Sequence, residues 1–296
     1  MGINLSEKYL GVYEKALPAF LSWEEKFRIT KEAGFDFIEL SIDATPERLS
    51  RLYWSQEEID ELLSCIAKFH MPIYTMALSA NRMYPLGSED AAIRRKGIEI
   101  VCSAVDLAVR LGVRLIQMCT YDVFGQESTT STDALFRAAL QMVGEYAADR
   151  GVMLALEIME APYSDTPEKL MRFIREANSP YLQIYADIGN LAASGYDDPT
   201  MLRDYMKNIV AIHVKDTTPG CYREILYGEG TVDFEQFLQA IGEMNFHGFL
   251  VAEMWSKDEE AFIPYLRQAC SFIRGKIKTA QSRTNPDSWQ LPVAVG

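Results

Sequence analysis

Four side chains able to bind a metal ion stand at or near the ends of apolar runs of strand length. They are Glu157, Asp187, His213 and Glu253. Three carboxylates and one imidazole form a donor set that suits a divalent cation such as Mn²⁺, Zn²⁺ or Co²⁺. Two carboxylates about 4 Å apart repel by roughly 4 kcal/mol at an effective dielectric constant of about 20, so converging acids need a cation or shared protons. Because imidazole is a good ligand and a poor partner for neutral acids, the histidine favours the cation.

The segments that must position these residues alternate regularly between strand and helix patterns. Apolar runs such as residues 35–41 are each followed by helical spacing, and Ser22 with Glu25 forms a capping box that predicts a helix start. Alternating strands and helices form a parallel sheet, and the eight such pairs found here predict a single (β/α)8 barrel of the α/β class, a TIM barrel. The alternative, an open doubly wound sheet, usually has fewer units and a switch point.

The barrel prediction explains how the four candidate ligands could meet. In a (β/α)8 barrel, side chains at the carboxyl ends of the strands line the active face. The four residues end the fifth to eighth predicted strands, so we expect them to converge there. We assign residues 1–278 to the barrel domain. Residues 279–296 contain serines, an asparagine and two prolines without a helical period, and we predict that they form a C-terminal tail.

Composition excludes several classes of function. The formal net charge of −13 argues against a nucleic-acid partner, because such proteins usually carry a basic stripe. No run approaches the ~18 apolar residues of a membrane span, so no membrane partner is expected. The five cysteines are odd in number and show no Cys-x-x-Cys spacing, which is typical of a reduced, cytoplasmic protein.

Several cations near predicted strand ends could bind an anionic or hydroxylated ligand. Arg223 lies in the glycine-flanked loop of residues 220–230 after the seventh strand, and its guanidinium fork suits phosphate or hydroxyl groups. Lys15 and Arg82 follow the first and third strands. Cys119 and Cys221 lie near strand ends as well, but no neighbouring base supports a nucleophilic role for either thiol.

Eight segments in order carry a family resemblance. They are GVYEKALP at 11–18, GFDFIE at 34–39, PLGSED at 85–90, EIM at 157–159, DIGN at 187–190, HVKDT at 213–217, GEG at 228–230 with VDF at 232–234, and EMW at 253–255. Together, from about residue 10 to 275, they resemble the L-ribulose-5-phosphate (L-xylulose-5-phosphate) 3-epimerases of L-ascorbate breakdown, which are xylose isomerase-like barrels.

The resemblance implies roles for individual residues. The metal ligands that it carries over are the same four residues that the strand ends selected. It places Arg223 on the substrate and Asn190 where some related epimerases have a histidine, and it implies a homodimer acting on a sugar phosphate. The sequence departs from the family pattern at Asn81, where a histidine is expected in Ser-x-His-Arg.

The chemistry implied by the resemblance is inversion at carbon 3 of a 2-ketose. The carbonyl acidifies the hydrogen on carbon 3, and a cation on O2 and O3 stabilises the enediolate that forms when this proton leaves. Glu157 and Glu253 would act on opposite faces of the sugar, one removing the proton and the other returning it.

Two other functions remain compatible with these residues. An aldose–ketose isomerase acting on a hexulose or pentulose phosphate would use nearly the same groups, with the carbonyl moving from C2 to C1. A non-catalytic sugar-binding barrel would keep Arg223 and the ligands without turnover. An abasic-site endonuclease on this barrel needs a histidine-rich centre with several zinc ions, and one strand-end histidine is too few.

Overall fold

The computed structural model describes residues 9–256 and 261–283, and eight of its strands close into a barrel. The strands in chain order are β1 (Leu10–Tyr13), β2 (Phe37–Ile42), β3 (Thr75–Leu78), β4 (Leu115–Cys119), β5 (Met153–Glu157), β6 (Leu182–Asp187), β7 (Ile209–Val214), β8 (Asp216–Thr218), β9 (Cys221–Ile225) and β10 (Phe249–Ala252). The closed order runs from β1 through β7 to β10, which returns to β1. Neighbouring strands are parallel, for example β4 with β5 and β10 with β1. The predicted (β/α)8 barrel is therefore confirmed.

Helices follow the barrel strands along the chain. They are α1 (Trp23–Ala33), α2 (Pro46–Ser50), α3 (Gln56–Phe69), α4 (Ala91–Leu111), α5 (Thr130–Ala148), α6 (Pro167–Ala177), α7 (Ile188–Ala193), α8 (Phe234–Glu243) and α9 (Phe262–Arg283). The capping box predicted at the start of α1 is confirmed, because the backbone N–H of Ser22 donates to the Glu25 carboxylate at 2.9 Å and the Ser22 side chain accepts from Glu25 N–H. Gly34 ends α1 at φ 96°, in the left-handed region that glycine tolerates without strain.

Close packing fills the barrel between its strands. All six residues of β2 are buried, including the polar Glu39 and Ser41. The ring of Phe37 occupies the space beside Gly11 of β1, where an added Cβ would lie 2.3 Å from the ring. Phe37 also meets Phe249 edge-on, with ring centroids 5.4 Å apart. A filled interior leaves the ends of the strands as the place for chemistry.

A 3₁₀ helix, Pro199–Asn208, precedes β7. The structure differs from the sequence prediction in two places. Part of the loop predicted at residues 220–230 is a strand, β9, which pairs with β8 as an antiparallel hairpin. Helix α9 runs five residues into the predicted tail, to Arg283, because Ile277 and Ala280 stay buried on one face of the helix. The rest of that tail, residues 284–296, lies outside the described residues.

Internal contacts divide the chain into two compact units. The first contains the residues up to Phe37 and from Tyr185 onwards, and the second is Ile38–Ile184. The first unit holds β1, α1 and the elements from α7 to α9, and the second holds α2 to α6 with β3, β4 and β5. The assignment of residues 1–278 to one domain stays a prediction. Among the described residues, no helix is long and apolar enough to cross a membrane.

Candidate active site

Asp187 lies where β6 passes into α7 without an intervening loop. It ends the strand and caps the helix, and its Oδ1 accepts the backbone N–H of Asn190 at 2.9 Å. Aspartate is favoured at this position because its carboxylate satisfies an unpaired N–H group and interacts with the positive end of the helix dipole. The side chain is fully buried, so groups in the protein or a bound cation must balance its charge.

His213 is fixed on β7 by aromatic neighbours. Its ring centroid lies 4.4 Å from that of Tyr185 and 6.4 Å from that of Tyr13. Its Nδ1 is 3.8 Å from Oε2 of Glu253, the residue directly after β10. The backbone N–H of Glu253 donates to the carbonyl of Val214, which holds the ends of β10 and β7 together. The imidazole therefore has a restricted orientation beside a carboxylate.

Lys215 brings a positive charge between two of the candidate ligands. Alternation along the extended chain places it on the same face as His213. Its Nζ lies 2.7 Å from Oδ2 of Asp187 and 2.8 Å from Oε2 of Glu253. The lysine side chain is only 6% exposed, so solvent screens these ion pairs weakly. The contact of Lys215 with two ligand carboxylates was not predicted from the sequence.

Glu157 ends β5 and is oriented by a glutamine on the neighbouring strand. The side-chain amide of Gln117 on β4 donates a hydrogen bond to Oε2 of Glu157. Both side chains are buried, with residue exposures of 2%. The sequence analysis missed Gln117, although a glutamine inside the apolar run Leu115–Cys119 was a visible signal of a polar contact in the barrel.

The structure brings all four predicted ligands together. One ligand atom from each of Glu157, Asp187, His213 and Glu253 lies within 4.8 Å of the others. Three carboxylates and the Lys215 ammonium, with a neutral imidazole, leave two negative charges, which one divalent cation would neutralise. Three oxygen donors and one imidazole nitrogen also match the preferences of such cations. The residues therefore fit a divalent metal ion.

Three of the predicted substrate-binding residues belong to the first unit: Arg223, Lys15 and Asn190. Arg223 projects from the β8–β9 hairpin, with its guanidinium carbon 5.8 Å from the ring centroid of Trp255. Lys15 follows β1, and its Nζ lies 5.8 Å from the ring centroid of Tyr13. Asn190 is buried in the first turn of α7. Substrate contact by each of these residues stays a prediction.

Arg82, the predicted substrate residue of the second unit, lies among aromatic and acidic groups. Its guanidinium carbon is 5.8 Å from the ring centroid of Tyr121 and 5.5 Å from that of Phe124. Burial opposes its charge, but the surrounding acidic groups, which include Glu157 and Glu160, outweigh burial and raise the pKa of Arg82. The guanidinium is therefore a permanent positive charge, and substrate contact again stays a prediction.

The third loop, where the sequence departs from the family pattern, is held by Asn81. Its buried side-chain amide donates to the carbonyl of Cys119. Burial raises the pKa of the Cys119 thiol to about 11, so this cysteine is protonated at neutral pH. That state agrees with the sequence interpretation, which found no support for a nucleophilic cysteine.

A cavity of about 560 Å³ opens beside the loops that follow β4 and β5. Aromatic side chains line much of it, including Tyr121, Phe124 and Tyr163, together with the carboxylate of Glu160. The hydroxyl of Tyr121 donates to Glu160 at 2.7 Å. None of the four candidate ligands is among the described residues that line this cavity, so we place the chemistry in the ligand cluster on the grounds of its donor set.

Comparisons with known proteins agree with this geometry. A family model described as xylose isomerase-like TIM barrel matches residues 27–275. The L-ribulose-5-phosphate 3-epimerase UlaE of Shigella flexneri is 41% identical over 271 residues, which are 92% of this chain and 95% of that protein.

Solved structures share the fold at lower sequence identity. The structure of an L-ribulose 3-epimerase superimposes with a TM-score of 0.77 at 21% identity, covering 94% of this chain and 97% of that one. A xylose isomerase-like TIM barrel protein from Mycobacterium smegmatis, solved in complex with magnesium, gives a TM-score of 0.69 at 18% identity, with coverage of 94% and 99%. These two likenesses establish the fold.

Proposed function

Because this chain belongs to the xylose isomerase-like TIM barrel family, and within it to the L-ribulose-5-phosphate 3-epimerases, we propose that it interconverts L-ribulose 5-phosphate and L-xylulose 5-phosphate. The enzyme is an isomerase that inverts carbon 3 of a ketopentose phosphate. The observation that carries this proposal is the cluster of Glu157, Asp187, His213 and Glu253, whose ligand atoms lie within 4.8 Å of one another. Two of its members are glutamates suited to proton transfer.

We propose that the four cluster residues hold one divalent cation, with Mn²⁺, Zn²⁺ and Co²⁺ as candidates. The bound cation would polarise the ketose carbonyl and stabilise negative charge on O2 and O3. The chain prepares this site in two ways. Asn190 N–H and Lys215 orient the carboxylate of Asp187, and a tilted ring contact with Tyr185 restricts the imidazole of His213.

Glu157 and Glu253 are the proposed acid and base. One glutamate takes the proton from carbon 3, and the other delivers a proton to the opposite face, which inverts the configuration. Gln117 holds Oε2 of Glu157, and Lys215 holds Oε2 of Glu253, so each carboxylate has a donor that fixes its orientation. Such oriented acid–base groups typically contribute ~10²–10⁴-fold to the rate.

Arg223, Asn190, Lys15 and Arg82 are the proposed substrate-binding residues, since their cations and amide suit a phosphate and several hydroxyl groups. We further propose a homodimer, in line with the family resemblance. A cytoplasmic location is proposed as well, because the five cysteines carry thiols and not disulfides.

Isotope exchange tests the proposed reaction. If the enzyme inverts carbon 3 through a proton exchanged with solvent, product formed from L-ribulose 5-phosphate in D₂O carries deuterium at C3 and none at C1. Nuclear magnetic resonance of the isolated product locates the label. An aldose product labelled at C2, or recovered ketose labelled at C1, would support an aldose–ketose isomerase in place of the epimerase, and an absence of both label and product would support a sugar-binding protein.

Single glutamine substitutions test the two-base mechanism. Glu157→Gln and Glu253→Gln each keep a side-chain oxygen but remove the basic group, so kcat should fall ~10²–10⁴-fold. Metal content is measured by atomic emission on the same samples, because both residues are also proposed ligands. Near-normal turnover by either metal-loaded variant would show that its glutamate transfers no proton.

A further inference from the structure

The acidic residue that follows Lys215 has an unusual set of hydrogen-bond partners. Asp216 is buried, and its carboxylate accepts four backbone N–H groups. Oδ1 accepts from Thr217 at 2.9 Å and from Val232 at 3.4 Å. Oδ2 accepts from Gly228 at 2.8 Å and from Gly230 at 3.0 Å. One side chain therefore binds the backbone at both ends of the segment 216–232.

Two glycines make this arrangement possible. Gly228 has φ 91°, a left-handed conformation in which residues other than glycine are strained. Gly230 has no room for a side chain, because an added Cβ would lie 2.1 Å from Oδ1 of Asp216. Gly228 and Gly230 thus bring their backbone N–H groups onto the carboxylate of Asp216.

The segment held in this way carries Arg223. The β8–β9 hairpin lies between the two ends that Asp216 joins, and Arg223 projects from β9 over the ring of Trp255. Trp255 in turn meets Tyr13 edge-on at 6.2 Å, and Tyr13 lies 6.4 Å from the ring of His213. A chain of ring contacts therefore leads from the hairpin to a proposed metal ligand.

The far end of the segment is also tied to the strands that carry the proposed ligands. The hydroxyl of Tyr227 donates to the carbonyl of Val214 at 2.5 Å and lies 3.5 Å from the carbonyl of Glu253. The hairpin thus has a fixed base at the ends of β7 and β10. Its orientation depends on Asp216, because hydrogen bonds to a charged acceptor are roughly twice as strong as neutral ones.

We propose that Asp216 is a positioning residue. It holds the segment 216–232, which includes the β8–β9 hairpin, so that Arg223 points at the substrate. The inference rests on the proposed function, since Arg223 is its substrate-binding arginine. Asp216 itself touches neither the substrate nor the metal ion in this proposal. Its effect on the reaction passes through Arg223 and should therefore appear in substrate affinity.

A double-mutant cycle tests the coupling of the two residues. Asp216→Asn keeps the size of the side chain but replaces one acceptor oxygen by NH₂, so two of the four N–H groups lose their acceptor. We expect KM for L-ribulose 5-phosphate to rise about tenfold with little change in kcat, because a hydrogen bond to a charged group is worth that factor or more. Arg223→Ala should cost much less in the Asp216→Asn background than in the wild type.

The matched control is Asp233→Asn, which removes a nearby negative charge. Asp233 caps α8 by accepting the N–H of Gln236 at 3.0 Å. This control should leave both KM and the cost of Arg223→Ala unchanged. A full Arg223→Ala cost in the Asp216→Asn background, or a wild-type KM for Asp216→Asn, would overturn the inference, because a purely structural aspartate predicts additive effects.

Hydrogen–deuterium exchange separates this inference from the proposed reaction. The amides of Gly228 and Gly230 should exchange about tenfold faster or more in Asp216→Asn than in the wild type, and at wild-type rates in Asp233→Asn. Unchanged exchange would overturn the role of Asp216 whatever the activity. If the exchange rates follow this pattern but the wild-type enzyme does not convert the sugar phosphate, the proposed reaction is wrong. The inference that Asp216 fixes the hairpin is then still supported.

Discussion

Asp187 and Asp122 occupy similar places in the chain but have opposite surroundings. Asp187 ends β6, and Asp122 follows the end of β4 by three residues; both side chains are buried. Asp122 accepts hydrogen bonds from Thr132 Oγ1 at 2.6 Å, Ser128 Oγ at 2.8 Å and Val123 N–H at 2.8 Å. Asp187 accepts the backbone N–H of Asn190 and pairs with the Lys215 ammonium, and its neighbours in the cluster include two glutamates.

The difference shows which strand-end acids are suited to a metal ion. Neutral donors satisfy the carboxylate of Asp122, so its role is to join the loop after β4 to the start of α5. Acids crowd the carboxylate of Asp187, and their charges exceed that of the Lys215 ammonium, which leaves negative charge that a divalent cation can balance. A position at the end of a strand is therefore insufficient on its own, and the partners decide the function.

The largest expected effect is on metal affinity, which should depend on Asp187 and not on Asp122. Asparagine is also a good N-cap, so Asp187→Asn should keep α7 while removing a ligand charge. We expect the metal affinity to fall by more than the ~100-fold that loss of a ligand's hydrogen-bond partner can cost. Asp122→Asn, the matched control, should bind metal as the wild type does. Calorimetric titration of the metal-free proteins with Mn²⁺ measures the affinities of both variants.

Equal metal affinities for Asp187→Asn and the wild type would contradict the proposed ligand set. If only Asp122→Asn loses metal, then Asp122 is the metal ligand and Asp187 is the structural acid. Circular dichroism on the same samples establishes that each variant is folded, so a loss of affinity reports on the site.

The second expected effect is on folding stability and concerns Asp122. Asp122→Ala leaves the buried hydroxyl of Thr132, the hydroxyl of the exposed Ser128 and the Val123 amide without this acceptor, so it should lower the free energy of unfolding by about 2–3 kcal/mol. Metal affinity should stay at the wild-type value. Urea denaturation of the metal-free protein measures the change, and a loss below about 0.5 kcal/mol would show that Asp122 is not a structural acid.

The sequence was sufficient to predict the barrel and the four clustered residues. Eight apolar runs alternate with helical spacing, and this pattern has few solutions other than a closed parallel barrel. The same topology brings the carboxyl ends of the strands together, which is why residues as far apart in sequence as Glu157 and Glu253 could be assigned to one site. The match of these positions to a known family supported the same set.

The sequence was insufficient for contacts that depend on side-chain direction. Gln117 and Glu157 are 40 residues apart, and no spacing rule joins a glutamine on one strand to a glutamate on the next. The hydrogen bonds that Asp216 accepts from residues 228–232 form only when a glycine-containing segment folds back on itself. The same is true of the β8–β9 hairpin. The position of the Lys215 ammonium between two carboxylates also depends on side-chain direction, and the sequence did not predict it.

The smallest expected effect concerns Asn190, where the backbone and the side chain have separable roles. The backbone N–H of Asn190 holds Oδ1 of Asp187, whereas its side chain is a proposed substrate contact. Asn190→Ala keeps the N–H and should leave the metal affinity unchanged. Asn190→Pro removes the N–H in the first turn of α7, where proline is tolerated best, and should weaken metal binding about tenfold.

The pair of Asn190 variants also tests the substrate role. Because both lack the amide side chain, each should raise KM, by about threefold to tenfold if one neutral hydrogen bond to the sugar is lost. Only the proline variant should also need more Mn²⁺ for half-maximal activity. Equal Mn²⁺ affinities for the two variants would mean that the helix N–H does not support Asp187. Lys215 and the bound cation would then orient this carboxylate. The backbone hydrogen bond that Asp187 shares with Asp122 would have no role in metal binding.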